Sequence, residues 1–202
     1  MYDLGSVERK QDLRKRLRRA RAQLDMKAQI AAGEKLAEQV ATSLMFLSAK
    51  RIAIYLSYKS EIQTRPLIEK ALCFSSKRIF VPVIDEHRMY FQRFDHQTVL
   101  VPNQFGIDEP ERNLIQTISP RFLDIVCLPL VGFDSKLNRL GMGGGYYDKT
   151  FAFRKERGRK PFLLGLAHSC QFSEDPIPTE PWDIQLDAVV TEQRWYFANQ
   201  QQ

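Results

Sequence analysis

Residues 124–133, DIVCLPLVGF, limit the possible folds of this chain more than any other segment. After its first residue the segment is almost continuously apolar, which is typical of a strand covered on both faces, as in a parallel sheet. Further short runs rich in β-branched, aromatic or other apolar residues are also predicted to be strands: RIAIYLS (51–57), RIFVPVI (78–84), FLLGLA (162–167) and DAVVT (187–191).

Helix-like segments separate these runs. Four stretches are predicted to be helical from composition, apolar spacing or start signals: 8–23, 26–47, 64–75 and 146–157. Thr64 is the expected N-cap of the third, with Pro66 in its first turn. This alternation predicts a three-layer α/β/α fold with a mainly parallel, Rossmann-like sheet and additional N-terminal helices. A length of 202 residues suits a single domain over 1–202.

The segment MYFQRF (89–94) is predicted to be the hairpin partner of strand 78–84. Pro82 places strand 78–84 at a sheet edge or near a strand end, because proline has no amide hydrogen for a β-ladder.

Composition and charge narrow the class of protein. No apolar run reaches the roughly 20 residues of a membrane-spanning helix, and the basic N-terminus lacks the apolar stretch of a secretory signal. The three cysteines, Cys73, Cys127 and Cys170, show no metal-ligand spacing, so reduced thiols in the cytoplasm are expected. The net charge of +6, with much of the excess in residues 9–21, indicates a polyanionic partner, or only a solvated helix face. The candidate polyanionic partners are nucleic acid, a nucleotide and a polyglutamylated metabolite.

The segment NRLGMGGGYYD (138–148) is the strongest candidate for a functional site, because four glycines fall within five positions after a buried strand. Backbone amides of a glycine-rich loop, and the start of the following helix, can hold phosphate oxygens. Arg139 would add charge-assisted hydrogen bonds. A plain surface turn is the alternative. In parallel sheets ligands bind beyond the carboxyl ends of the strands, where SYKSEIQT (57–64) is also expected.

Two familiar phosphate-binding motifs do not fit this loop. No GxxxxGK[ST] sequence is present, and Tyr146 stands where a dinucleotide fingerprint needs its third glycine. Asp148 is either a partner of the helix dipole or, beside phosphates, a ligand for Mg²⁺. Tyr146 and Tyr147 are either core rings or rings that stack on a planar ligand.

NRLGMGGGYYD closely resembles the signature of the 5-formyltetrahydrofolate cyclo-ligases, also called 5,10-methenyltetrahydrofolate synthetases. The similarity extends along nearly the whole chain, in the order and spacing of that family: KQDLR (10–14), SEIQT (60–64), FGIDEP (105–110), LPLVGFD (128–134), GLAHSCQ (165–171) and LDAVVTE (186–192). Two positions depart from the family pattern. Ser60 replaces an acid before the glutamate, and Gly144 replaces a lysine that is frequent in the middle of the loop.

The resemblance implies an enzyme that uses ATP and Mg²⁺ to convert 5-formyltetrahydrofolate, with or without a polyglutamate tail, to 5,10-methenyltetrahydrofolate. ATP would phosphorylate the formyl oxygen, and N10 of the folate would then displace phosphate. Such a reaction requires mainly positioning and charge neutralisation from the protein. The resemblance also implies a cytoplasmic protein, expected to be a monomer, with no membrane and no obligatory nucleic-acid partner.

Site residues follow from the same resemblance. The implied catalytic residues are Arg14 and Tyr147, and the implied metal ligands are Asp148 and Asp187. The implied ATP-binding residues are Lys10, Arg14, Arg139, Leu140, Gly141, Met142, Gly143, Gly144, Gly145, Tyr146 and Tyr147. The implied folate-binding residues are Leu56, Glu61, Met142, Gly143, Gly144, Gly145 and Tyr146.

Other hypotheses stay open from sequence alone. A nucleic-acid-binding protein would use the basic N-terminal helix, although few aromatic residues interleave its charges. A phosphosugar isomerase or acyl-CoA-type enzyme would need a carboxylate base, for which Glu61 is the obvious candidate. His168 and Cys170 share a strand face but have no evident third group to orient them, so a nucleophilic pair is not favoured. Arg16, Arg18 and Arg19 are expected to face solvent.

Overall fold

The computed structural model describes residues 4–85, 88–102, 106, 108–158 and 160–198. Its helices are α1 (Leu4–Ala22), α2 (Met26–Ala41), α3 (Leu44–Ser48), α4 (Arg65–Leu72), α5 (Tyr146–Thr150) and α6 (Arg154–Arg157). Its first six strands are β1 (Arg51–Ala53), β2 (Arg78–Asp85), β3 (Arg88–Phe94), β4 (Leu100–Pro102), β5 (Asp108–Pro110) and β6 (Thr117–Ile118). The others are β7 (Ile125–Pro129), β8 (Gly132–Asp134), β9 (Arg139–Leu140), β10 (Phe162–Leu166), β11 (Phe172–Ser173), β12 (Ala188–Val190) and β13 (Trp195–Phe197).

An eight-stranded sheet with the order β13-β12-β10-β7-β1-β2-β3-β6 forms the centre of the fold. Its five inner strands, from β12 to β2, are parallel, and the outer pairings are antiparallel. The predicted mainly parallel α/β sheet is therefore confirmed. The hairpin of β2 with β3 is confirmed as well. A small sheet of β11, β8 and β9 and the hairpin of β4 with β5 complete the strands of the described residues.

Alternate residues of the inner strands enter two separate hydrophobic cores. On one face, Ile125 and Cys127 of β7 pack with α2, α3 and α4; on the other, Val126 and Leu128 pack with β8, α5 and the segment before β12. This burial on both sides explains why residues 124–133 carry so little polar character. The layer on the second face is thin, because two short helices and the small sheet build it.

Several predicted elements are shorter than the sequence pattern indicates. Residues 26–47 form two helices, because Ser43 accepts from the Phe46 amide (3.2 Å) as the N-cap of α3 and donates to the Val40 carbonyl (2.7 Å). Residues 146–157 also divide, at a turn that buries Phe151 completely. Local spacing alone does not reveal these interruptions.

Two predictions about single residues need correction. Strand β2 is not an edge strand, but β1 pairs only with residues 78–80, so Pro82 lies beyond that ladder and disrupts none of its hydrogen bonds. Thr64 is the N-cap residue of α4, as predicted, but its hydroxyl makes no cap bond and instead donates to the Tyr55 carbonyl (2.6 Å). Pro66 does lie in the first turn of α4.

Helix α1 crosses the carboxyl edge of the sheet rather than joining a layer. Leu13 and Leu17 of α1 are buried against Val131, Leu140 and Ile177. Among the described residues, no helix combines the length and apolar character needed to cross a membrane.

Candidate functional site

The glycine loop, residues 141–145, lies just beyond the carboxyl end of β7. The Val131 amide, two residues after β7, donates to the Leu140 carbonyl (2.8 Å) and so holds the base of the loop there. Buried Asp134 closes the turn between β8 and β9 by accepting from the amides of Lys136 (3.0 Å) and Asn138 (2.9 Å). The loop therefore extends from a rigid hairpin.

The backbone of the glycine loop requires glycine at two positions. Gly143 has a φ of +108° and Gly145 a φ of +66°, conformations that side chains with a Cβ rarely adopt. Gly144 is restricted differently, because a Cβ there would lie 2.9 Å from the Tyr146 ring. A Cβ at Gly143 would meet nothing within 4 Å, so the loop has open space on that side.

The amides of the glycine loop are available to a ligand. Within the described part of the chain, none of the amides of residues 141–145 donates a hydrogen bond to another protein group. Helix α5, which follows, has only five residues, so its dipole adds little to this site. Several adjacent free amides can together bind an anion, so the anion-binding role predicted for the loop is compatible with its structure and stays a prediction.

Arginine side chains from α1 contact the glycine loop directly. Arg14 Nε donates to the Gly141 carbonyl at 2.9 Å, and Arg18 Nη2 lies 3.2 Å from the Met142 sulfur. Burial and the nearby charge of Arg18 lower the pKa of Arg14 below its ordinary value, although the guanidinium stays protonated. The predicted role of Arg14 next to the loop is thus compatible with its position.

Arg139 and Asp148 form a buried ion pair beside the loop. Arg139 Nη2 lies 2.9 Å and 3.0 Å from the two Asp148 carboxylate oxygens, and the side chains are 7% and 18% exposed. The Ile184 amide also donates to Asp148 (3.1 Å). The Arg139 guanidinium lies over the Tyr147 ring, 5.5 Å from its centroid, and so orders that ring.

Glu61, in the segment after β1, lies close enough to Tyr147 of α5 for their charges to interact. Burial raises the pKa of Glu61 above its ordinary value, while the Tyr58 amide, which donates to Glu61 Oε2 at 3.1 Å, and the charge of Arg21 oppose that shift. Burial also raises the pKa of Tyr147, the Arg139 charge opposes that shift, and the Glu61 charge adds to it. The Tyr147 hydroxyl therefore stays a protonated hydrogen-bond donor. Leu56, half-buried, packs on the adjacent core.

Lys10 lies at the outer end of the site. Its Nζ contacts Asp183 Oδ2 at 3.1 Å and Glu180 Oε1 at 3.8 Å. Asp183 also accepts from the Glu180 amide (2.9 Å). The amine of Lys10 is therefore already neutralised, unlike the guanidinium of Arg14.

The predicted metal ligands Asp148 and Asp187 lie at different edges of the sheet. Asp187 precedes β12 at the amino edge, where Asp187 Oδ2 accepts from Arg154 (2.6 Å) and from the Leu163 amide (2.7 Å). Among the described residues, no group of three or more His, Cys, Asp or Glu side chains is arranged to hold a metal. These contacts do not fit direct Mg²⁺ ligation in this arrangement, and both metal roles stay predictions.

His168 and Cys170 do not form a nucleophilic pair in this arrangement. His168 is 1% exposed, and within the described residues neither ring nitrogen has a hydrogen-bond partner. Burial lowers the pKa of His168 and raises the pKa of Cys170, so both groups are held in their neutral forms. A neutral thiol without a bonded base is a weak nucleophile.

The 5-formyltetrahydrofolate cyclo-ligase family model matches residues 6–192. This chain belongs to that family. The chain is 37% identical to the 5-formyltetrahydrofolate cyclo-ligase of Haemophilus influenzae, over 90% of this chain and 96% of the relative. It is 36% identical to the enzyme of the same name from Escherichia coli K12, over 87% and 96%. The family resemblance seen in the sequence, and the expectation of an enzyme, are thereby confirmed.

Solved structures of methenyltetrahydrofolate synthetases share the cyclo-ligase fold of this chain. The synthetase of Aquifex aeolicus superimposes with a TM-score of 0.80 at 28% identity and covers 96% of this chain and 94% of its own. The synthetase of Mycoplasma pneumoniae gives a TM-score of 0.69 at 26% identity, over 91% and 98%.

Three features of the site were not anticipated from the sequence. Arg18 is exposed, as predicted, but also contacts Met142 of the glycine loop. Arg21 is buried, and its Nε donates to Ser60 Oγ at 3.1 Å, next to Glu61. Asp134 organises the hairpin under the loop. The spacing of Arg14, Arg18 and Arg21 on one helix face was the available signal for the first two.

Proposed function

We propose that this cyclo-ligase converts 5-formyltetrahydrofolate to 5,10-methenyltetrahydrofolate with consumption of ATP, in the presence of Mg²⁺, and with release of ADP and phosphate. The names of the relatives support the folate reaction. The observation that carries the ATP part is the glycine loop, whose amides are free of protein acceptors and whose Gly141 carbonyl accepts from Arg14. Anion binding at that position suits a phosphoryl donor.

Two bond exchanges accomplish the reaction. The formyl oxygen forms a bond to the γ-phosphorus of ATP as the bond from that phosphorus to ADP breaks. N10 then bonds to the formyl carbon, phosphate departs with the former formyl oxygen, and the N10 proton is lost. Phosphorylation is needed because an amide oxygen is otherwise a poor leaving group.

The chain contributes charge and position to these steps. The loop amides and Arg14 would hold the phosphate oxygens and neutralise charge that develops during transfer. Lys10 and Arg139 would border the nucleotide, with Leu140, Met142 and Tyr146 along the loop. Tyr147, held neutral by burial, would donate its hydroxyl toward the reacting oxygen.

Glu61 and Leu56 would bind the folate. Glu61 lies in the segment between β1 and α4, and its charge interacts with Tyr147. A partly desolvated carboxylate makes strong hydrogen bonds to amino and ring N–H groups such as those of a pterin. Leu56 would supply apolar contact with the same ligand.

Mg²⁺ would arrive with ATP, coordinated by phosphate oxygens and water. Direct ligation by Asp148 would require its release from Arg139. We further propose a monomer with one domain over residues 1–202. A cytoplasmic location is also proposed, with which the three free thiols are compatible. A polyglutamate tail on the folate remains compatible with the basic surface of α1.

Absorbance provides a direct test. Purified protein with 5-formyltetrahydrofolate, Mg²⁺ and ATP is expected to produce the near-ultraviolet absorbance of methenyltetrahydrofolate, and omission of ATP to abolish it. Arg14→Ala is expected to raise the apparent KM for ATP. An absorbance rise that does not depend on ATP would refute the proposed reaction, and unchanged ATP kinetics in the variant would refute the role of Arg14.

A further inference from the structure

Arg18 belongs to a row of cations on the face of α1 that contacts the loops at the carboxyl edge. Lys10, Arg14, Arg18 and Arg21 are separated by four, four and three positions, so they share one helix face. Their contacts follow this order along the site, from Asp183 through Gly141 and Met142 to Ser60. Arg18 therefore lies over the middle of the site.

The members of this row differ in how their charge is neutralised. Lys10 is paired with Asp183 and Glu180, and Arg139, across the loop, is paired with Asp148. Among the described residues, neither Arg14 nor Arg18 forms an ion pair with a carboxylate. Arg14 contacts a carbonyl oxygen, and Arg18 contacts a thioether sulfur, which is a weak acceptor.

Two adjacent cations without an anion are an unfavourable arrangement. Like charges at positions i and i+4 of a helix repel each other. Burial and then the charge of Arg18 lower the pKa of Arg14, and the more weakly acting charge of Asp183 offsets only part of this. The repulsion would be relieved by an anion placed between the two guanidinium groups and the free amides of the glycine loop.

We propose that Arg18 is an additional binding residue for the phosphate chain of ATP, acting with Arg14 from the α1 side of the glycine loop. The proposal rests on the proposed cyclo-ligase function and extends its nucleotide site by one residue. The Met142 side chain, which is 62% exposed, would move away from Arg18 when phosphate oxygens replace its sulfur.

Because helix α5 is short, a bound phosphate chain would depend on cationic side chains such as Arg18. A long helix would add its dipole to a phosphate site, but α5 spans only Tyr146–Thr150. Because ATP carries a large negative charge and the Lys10 and Arg139 charges are already paired, side-chain neutralisation depends on Arg14 and Arg18.

The test compares Arg18→Gln with Arg19→Gln. Arg19 is the next residue of the same helix, is also exposed and carries the same charge, so its loss has the same effect on net charge. Calorimetry with ADP and with a non-hydrolysable ATP analogue is expected to give about tenfold weaker binding for Arg18→Gln. Arg19→Gln is expected to bind like the unmodified protein, and both variants to retain its melting temperature.

The outcomes are distinguishable. Equal nucleotide affinity of the two variants would overturn the assignment of Arg18. Weaker binding of 5-formyltetrahydrofolate with unchanged nucleotide binding would also overturn it, because Arg18 would then face the carboxylates of the folate. If the unmodified protein binds neither ADP nor the ATP analogue, the proposed ATP-dependent function is wrong, and the assignment of Arg18 is overturned with it.

Discussion

At the scale of single residues, Arg139 and Asp148 form the contact that most directly fixes the charge beside the glycine loop. Two hydrogen bonds join their side chains, and little of either is exposed. Removal of one partner from such a pair leaves an uncompensated charge in a poorly solvated position. Asp148 consequently has a structural role in addition to any role in activity.

A double-mutant cycle separates these roles. Asp148→Asn is expected to lower the free energy of unfolding by about 2–4 kcal/mol, and Arg139→Gln in the same chain to restore part of that loss. Urea denaturation of both single variants and the double variant measures the coupling. Strictly additive changes would contradict a structural ion pair and favour Asp148 as a separate metal ligand.

Glu61 is a second residue whose surroundings determine its chemistry. Burial raises its pKa above the ordinary value of 4.5, so the folded chain binds the Glu61 proton more tightly than the unfolded chain. By linkage, the contribution of Glu61 to the free energy of unfolding falls as the pH rises through the raised pKa of the folded state.

Glu61→Gln is therefore expected to be more stable than the unmodified protein at pH 7 and equally stable at pH 4. Thermal denaturation at the two pH values measures this difference, and folate binding at pH 7 measures the functional cost. If Glu61→Gln is instead less stable than the unmodified protein at pH 7, while the two are equal at pH 4, ionised Glu61 stabilises the fold and the prediction is wrong.

At the scale of elements, the glycine loop depends on the hairpin below it and on α1 beside it. Asp134 holds the hairpin turn, and Leu13 and Leu17 hold α1 against Leu140. The positive φ angles of Gly143 and Gly145 then direct successive amides away from other protein acceptors. We expect the conformation of the loop, rather than its flexibility, to be what binds an anion.

Gly143→Ala tests this conformation against a matched control. Gly158 also has a positive φ, +96°, and a Cβ at either glycine would meet nothing within 4 Å. Both substitutions are expected to cost about 1–2 kcal/mol of stability, but only Gly143→Ala to weaken ADP binding. Equal ADP affinity in the two variants would mean that the loop amides do not contact phosphates.

At the scale of the whole molecule, a net charge of +6 attracts polyanions whatever the specific function. The basic face of α1 that contacts the glycine loop suits a nucleotide. The exposed remainder, which includes Arg19, suits weak electrostatic binding only. Since counterion release governs nonspecific binding to nucleic acid, salt distinguishes the two possibilities.

Binding of a short single-stranded RNA is expected to weaken at least tenfold between about 50 mM and 200 mM salt. Fluorescence anisotropy with a labelled RNA measures this slope, and ADP calorimetry at the same salt concentrations is the comparison. RNA affinity that persists at the higher salt would instead support a nucleic-acid-binding function of α1.

The sequence by itself determined the fold class and the family of this protein. Buried strands such as 125–129 and the helices between them leave a local pattern of apolar residues, and the glycines of 141–145 are a local requirement of the backbone. Both features depend on residues that are close together in the sequence, so a local sequence pattern is enough to predict them. The helix breaks at Ser43 and Phe151 escaped the pattern because side-chain bonds and core packing produce them.

Only the tertiary structure decided which charged residues meet. Arg14 and Arg18 reach residues more than 120 positions away in the chain, and Asp148 is turned to Arg139 rather than left open to a metal. Asp187 is placed at the opposite edge of the sheet from the glycine loop. Such pairings depend on how helices and strands pack. The residues next to Arg14 in the sequence, or next to Gly141, do not reveal that these two residues meet.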